Sequence, residues 1–150
     1  MSPWSSWSFY HRDQFVVIPK KIMFPNGLLS HEAPYQKLDL NDPQIAAQFK
    51  EVLSYDNVQK MRNYDRSPEK ADMTDFLSLF KVKSQKQLAR EVTLLTVERN
   101  GGRFDVELSV GQKNGSFLGD PELGASIPKA MSLEQTIDFL IDHFKQRSAA

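Results

Sequence analysis

The 150-residue chain contains no cysteine, which excludes disulfides, thiolate zinc centres and cysteine nucleophiles together and fits a reducing compartment. It has no excess charge of either sign. The 19 Lys and Arg residues are matched by 19 Asp and Glu, so the global positive field that holds proteins on nucleic acid or anionic lipid is missing. Any charge-driven partner must therefore meet a local patch. No apolar run approaches the roughly 20 residues that cross a bilayer. The opening Met1-Ser2-Pro3-Trp4-Ser5-Ser6-Trp7 lacks the basic start and apolar centre of a secretion signal, and the expectation is a cytoplasmic protein with no membrane partner. What the chain does have is apolar bulk, 40% hydrophobic with 11% aromatic. That supports one core and one domain over residues 1–150, with 146–150 as a fraying tail.

The clearest organisation runs from Phe80 to Phe144. Ser84 caps a short helix through Gln85 to Ala89. Val92 to Val97 is rich in β-branched residues, Asn100-Gly101-Gly102 turns the chain, and Phe104 to Val110 alternates apolar and polar side chains, which together describe a hairpin. Gly111, Gly115 and Gly119 punctuate a polar loop, and Ala125-Ser126-Ile127 is a candidate short strand. Ser132-Leu133-Glu134-Gln135 is a capping box that opens a terminal helix with an apolar stripe of Leu133, Ile137, Leu140, Ile141 and Phe144.

The N-terminal half is less regular. Trp4, Trp7, Phe9 and Tyr10 lead into Phe15 to Ile18, a buried strand ended by Pro19, and a second short strand covers Ile22 to Phe24. Pro25 to Pro34 carries turn residues and reads as a surface loop. Asp42 caps a helix with Pro43 in its first position, and Ile45, Ala46, Phe49, Val52 and Leu53 share one face. Ser54 to Arg66 is polar, with a helical turn around Val58 and Met61. Ser67-Pro68-Glu69 opens a further helix that buries Met73, Phe76, Leu77 and Phe80. These elements describe an α+β domain, a mostly antiparallel sheet with helices packed on it.

No catalytic constellation stands out. His11, His31 and His143 are far apart and read as ordinary surface histidines, and none has a second histidine at metal-ligand spacing. Asp39 to Lys50 starts like a calcium loop, but Gln44 and Lys50 occupy the positions that need Gly and Glu. No cofactor is implied. Two acidic sets are conspicuous: Asp65, Glu69, Asp72 and Asp75 in the middle, and Glu134, Asp138 and Asp142 on the last helix. The second set stacks like charges at four-residue intervals, each pair costing a few tenths of a kcal/mol, which hints at a basic partner.

Val82-Lys83-Ser84-Gln85-Lys86-Gln87-Leu88, the hairpin, the Gly-rich loop, Ile127-Pro128-Lys129-Ala130 and the capping box form an ordered succession. It resembles the immunity proteins of bacterial contact-dependent growth inhibition systems over about the second half of the chain. Tyr35-Gln36-Lys37-Leu38-Asp39-Leu40 followed by a helix is similar in order to that family's middle segment. The resemblance implies a small cytoplasmic protein, not an enzyme, that binds and blocks the C-terminal toxin domain of an exported effector, commonly a nuclease. Both acidic sets are then candidate contact residues. Trp4, Trp7, Tyr55 and Tyr64 are candidate aromatic anchors, and an unpaired edge strand offers another route. Two other readings stay open. One is a nucleic-acid module using the sheet face with Lys81, Lys83, Lys86 and Arg90 on phosphates; the other is an enzyme whose site only the fold assembles.

Overall fold

The computed structural model describes residues 4–60 and 74–148. Its elements are β1 (Trp4–Arg12), β2 (Phe15–Met23), β3 (Leu29–Asp39), α1 (Ile45–Val52), β4 (Val58–Lys60), α2 (Thr74–Leu79), α3 (Gln85–Glu91), β5 (Thr93–Asn100), β6 (Arg103–Gly111), β7 (Phe117–Gly119), α4 (Pro121–Gly124) and α5 (Leu133–Ser148). Among the described residues the strands form one seven-stranded sheet in the order β3-β2-β1-β5-β6-β7, with β4 alongside β2. Every pairing is antiparallel except β2 with β4. The architecture is α+β.

Alternation along the strands distributes the core over both faces of the sheet. Trp7 and Phe9 of β1, Val16 and Ile18 of β2, Leu95 and Val97 of β5, and Phe104 and Leu108 of β6 point to one face. There they meet Ile45, Phe49 and Val52 of α1 and Ile137, Leu140 and Phe144 of α5. Tyr10 and Val17, one residue out of step, point to the other face and meet Phe76, Phe80, Val82 and Leu88 around α2 and α3. The helices thus sandwich the middle of the sheet.

The local signals hold where the chemistry lies within a few residues. Ser84 Oγ accepts from the Gln87 N–H at the start of α3. At α5, Ser132 Oγ accepts from the Gln135 N–H while Gln135 Oε1 accepts from the Ser132 N–H, the reciprocal pair of a capping box. Gly101 and Gly102 have φ of 56° and 89°, the left-handed pair that a two-residue hairpin turn between β5 and β6 requires. The Ser67 cap and Met73 lie outside the described residues, but Phe76 and Phe80 are buried as their spacing requires.

Several expectations are corrected. The two short strands before Phe24 are one strand, β2, which passes through Pro19 because the register against β3 shifts between Pro19 and Lys20, a bulge that spares the missing N–H. The loop from Pro25 to Pro34 shrinks to a turn closed by Phe24 and Leu28. Leu29 onward is β3, an edge strand, where Pro34 costs little. The helical turn around Val58 is instead β4. The Gly-rich loop contributes β7, whereas Ala125 to Ile127 forms no strand. That segment joins the sheet through a bridge in which Phe104 and Met131 exchange both backbone hydrogen bonds at 2.9 Å. Helix α1 begins at Ile45, after Pro43, with Asp42 Oδ1 accepting from the Gln44 N–H.

The sheet forks between β1 and β2, whose ladder covers only Tyr10 to Arg12 against Phe15 to Val17. In the fork sits Asn57, 1% exposed. Its N–H donates to Ser5 Oγ, its Nδ2 donates to the carbonyls of Ser6 and Pro19, and its carbonyl accepts from the Lys21 N–H. Next to it, Asp56 pairs with Arg99, whose guanidinium lies 5.5 Å from the Trp7 ring centre. The far end of β6 is held differently. A Cβ on Gly111 would stand 1.8 Å from the Ala89 carbonyl oxygen of α3, so only glycine lets the strand lie against that helix. Gly111→Ala is expected to separate the two and destabilise the fold by about 1–3 kcal/mol, read as a drop in Tm by circular dichroism.

Candidate partner-binding surface

Glu134, Asp138 and Asp142 all lie exposed on α5. Four residues advance a helix by about 6 Å, so the three carboxylates form a stripe about 12 Å long on the side of α5 turned away from Ile137, Leu140 and Phe144. Lys50 Nζ approaches Glu134 Oε1 at 3.9 Å, but both groups are largely exposed, and such a pair contributes little. Among the described residues no cation lies within ion-pair range of Asp138 or Asp142.

Asp142 opens onto a cleft of about 530 Å³ lined also by Ile127, Phe139, Gln146 and Arg147. A second cleft of about 480 Å³ adjoins it, sharing Leu108 and Ile127, and carries Glu107 and Asp120 with Lys129. The two make a groove between α5, β6 and the α4 segment, with an apolar floor and three carboxylates. Sequence reasoning missed Glu107, Asp120 and Ile127 as members of this surface. The alternation of β6 placed Asp105 and Glu107 on one side, but nothing local says that α4 packs along β6 or that Ile127, like Val106, packs against the core on the α1 and α5 face. Beyond the groove, Val110 and Leu118 are paired across β6 and β7 and are 41% and 59% exposed. The last two strands of the sheet thus expose an apolar pair near its edge.

The other candidates fare unevenly. Asp75 is exposed in the first turn of α2, while Asp65, Glu69, Asp72 and Tyr64 lie outside the described residues. Trp7 is fully buried in the core, Trp4 and Tyr55 are half-buried, and the Tyr55 hydroxyl donates to Gln36 Oε1. Lys81, Lys83, Lys86 and Arg90 are exposed around α3, but Trp7, Phe9, Tyr10 and Phe104, the large aromatics of the central strands, are covered. None of the four is available to stack on bases, Trp7, Phe9 and Phe104 being buried toward α1 and α5 and Tyr10 toward α2 and α3.

The histidines are not free surface groups. His11 and His143 approach the Phe144 ring at 5.0 and 5.4 Å. Burial, then Arg147 and His11, hold the His143 pKa down to about 4, and burial also lowers that of His11. On the other face, the Tyr10 hydroxyl lies 3.0 Å from His31 Nδ1, and Lys21 Nζ donates to Ser6 Oγ at 2.8 Å. Burial lowers the Lys21 pKa to about 8 and that of His31 to about 4, and raises that of Tyr10. These groups satisfy one another, as buried polar side chains do. Among the described residues no three His, Asp or Glu side chains converge as metal ligands.

No protein-family model and no curated protein matches the chain. Solved structures do. A protein of unknown function from Neisseria meningitidis superposes with a TM-score of 0.61 and 14% identity, over 96% of this chain and 94% of that one. A chain of a CdiA-CT/CdiI toxin and immunity complex from Yersinia pseudotuberculosis superposes with a TM-score of 0.58 and 8% identity, over 93% and 96%. Identities this low establish a shared fold. No described helix is long and apolar enough to cross a membrane.

Proposed function

We propose that this chain is an immunity protein that binds and neutralises the C-terminal toxin domain of a contact-dependent growth inhibition effector, acting in the cytoplasm without catalysis. The observation that carries the reading is the end-to-end likeness to a chain from a toxin and immunity complex, 93% of this chain on 96% of that one. The order of motifs in the second half of the sequence points the same way. Binding blocks the toxin by covering its working surface. The acidic stripe and groove suit a basic toxin face, such as a nuclease uses to hold phosphates, while the apolar floor supplies the desolvated centre that interfaces need.

The test is co-expression with the product of the open reading frame immediately upstream. Growth rescue and a one-to-one complex that survives high salt are the expected results; a harmless upstream product, or no complex, removes the reading. Within that complex, Glu134→Lys, Asp138→Lys and Asp142→Lys combined should weaken binding at least about 100-fold, since like charge facing like charge costs several kcal/mol. Isothermal titration checks it, and unchanged affinity with unchanged circular dichroism would move the interface off α5.

A further inference from the structure

Adjoining the acidic groove, and sharing Leu108, His143 and Arg147 with its Asp142 end, lies a cleft of about 360 Å³ between the end of α3, the β5–β6 ladder and the last turns of α5. Arg90 enters its lining from α3 and Arg147 from α5. Both are exposed, and neither lies within ion-pair range of a described carboxylate. Among the described residues no carboxylate lines the cleft. Its apolar side chains include Leu108 and Val110, the second an unusually exposed valine at 41%. His143 completes the wall, kept uncharged at neutral pH by burial and by Arg147, so it offers a hydrogen-bonding nitrogen without charge. The wall nearest α3 is preformed, because Gly111 lies directly against the Ala89 backbone.

Two unpaired guanidinium groups over an apolar floor have a definite complement. Guanidinium recognises carboxylate and phosphate oxygens through paired N–H donors, and the volume falls in the range of small-ligand sites, roughly 300–1,000 Å³. We propose that this cleft binds a small amphipathic anion, a carboxylate or phosphate head on a short apolar body, with Arg90 and Arg147 on the head and Leu108 and Val110 along the body. The site shares Leu108, His143 and Arg147 with the cleft beside Asp142 and so adjoins the toxin interface proposed above.

Octanoate is the probe, titrated into the full chain at low salt and followed by methyl NMR. Saturable shifts of the Leu108 and Val110 methyls are expected, with a dissociation constant on the order of 1 mM or tighter. Neutral octanamide should bind at least about tenfold more weakly, as should Arg90→Gln and Arg147→Gln toward octanoate, because each loses the charge-assisted bonds. Val110→Ser, on an exposed position, should weaken octanoate with the fold intact. Inorganic phosphate binding more weakly than octanoate separates an amphipathic site from a simple anion site. The proposal is overturned by any of these results: no saturable shift up to about 10 mM octanoate, octanamide binding as well as octanoate, phosphate binding as well as octanoate, or both arginine variants binding like the parent.

Discussion

Asn57→Ala is expected to destabilise the chain by about 3 kcal/mol, more than a surface truncation of similar size. The side-chain amide donates to the Ser6 and Pro19 carbonyls at 3.0 and 3.1 Å in a site closed to solvent. Removing it leaves both acceptors unpaired, and each such group costs about 1–3 kcal/mol. The loss falls where β1 and β2 have stopped pairing, so no ladder hydrogen bond is available to take over. Asn57→Asp should be no better, because a carboxylate presents lone pairs to two carbonyl oxygens. Urea denaturation reads the effect as a lower midpoint with an unchanged slope. The exposed neighbour Gln59→Ala is the control, and a midpoint shift for Asn57→Ala no larger than the control's would remove Asn57 from its place as the tie between the strands.

Acid should unfold the chain through its histidines before most carboxylates are protonated. Burial, with Lys21 adding to it, holds the His31 pKa at about 4 against an ordinary 6.5. A base with a depressed folded pKa is protonated more readily in the unfolded chain, so between pH 6.5 and about 4 the unfolded state binds more protons. Stability is therefore complete above pH 6.5 and falls as the pH drops toward 4. At about 1.4 kcal/mol per pH unit, His31 alone accounts for about 3 kcal/mol by pH 4. His143, lowered to about 4 but partly exposed, adds a smaller share after solvent screening, and His11 shifts in the same direction. The comparison that isolates His31 is a series of urea melts across this range for the parent and for His31→Gln, which cannot titrate. The variant should show a distinctly flatter pH dependence, and identical slopes would assign the acid sensitivity elsewhere.

Both predictions rest on residues that the sequence left unremarkable. Asn57 read as one polar residue in a polar stretch, because its partners Ser5, Ser6, Pro19 and Lys21 lie 36 or more positions away. The three histidines read as surface groups for the same reason. His11 and His143 stand at opposite ends of the chain and meet only because β1 and α5 pack on each other through Phe9 and Phe144, whose rings are 6.0 Å apart. Strand β1 was only half visible: Ser5, Ser6 and Ser8 are buried beside Trp7 and Phe9, and serines do not announce a buried strand. Strand β4 is three residues long and pairs in parallel with a distant partner, so its pattern carried no signal. Of the candidate contact residues, the stripe on α5 followed from four-residue spacing, while Glu107 and Asp120 joined it only when α4 packed near β6.

The sequence by itself determined the α+β class, the hairpin around Asn100-Gly101-Gly102, helices α3 and α5 with their caps, and the exposed acidic stripe on α5. Each rests on dihedral preferences, capping bonds or periodicities set within a few residues. The tertiary structure alone decided the strand order, the fork held by Asn57, the burial of the histidines, and the placing of Arg90 and Arg147 on one cleft. Those depend on which distant segments share a desolvated space, and desolvation is a property of the closed chain.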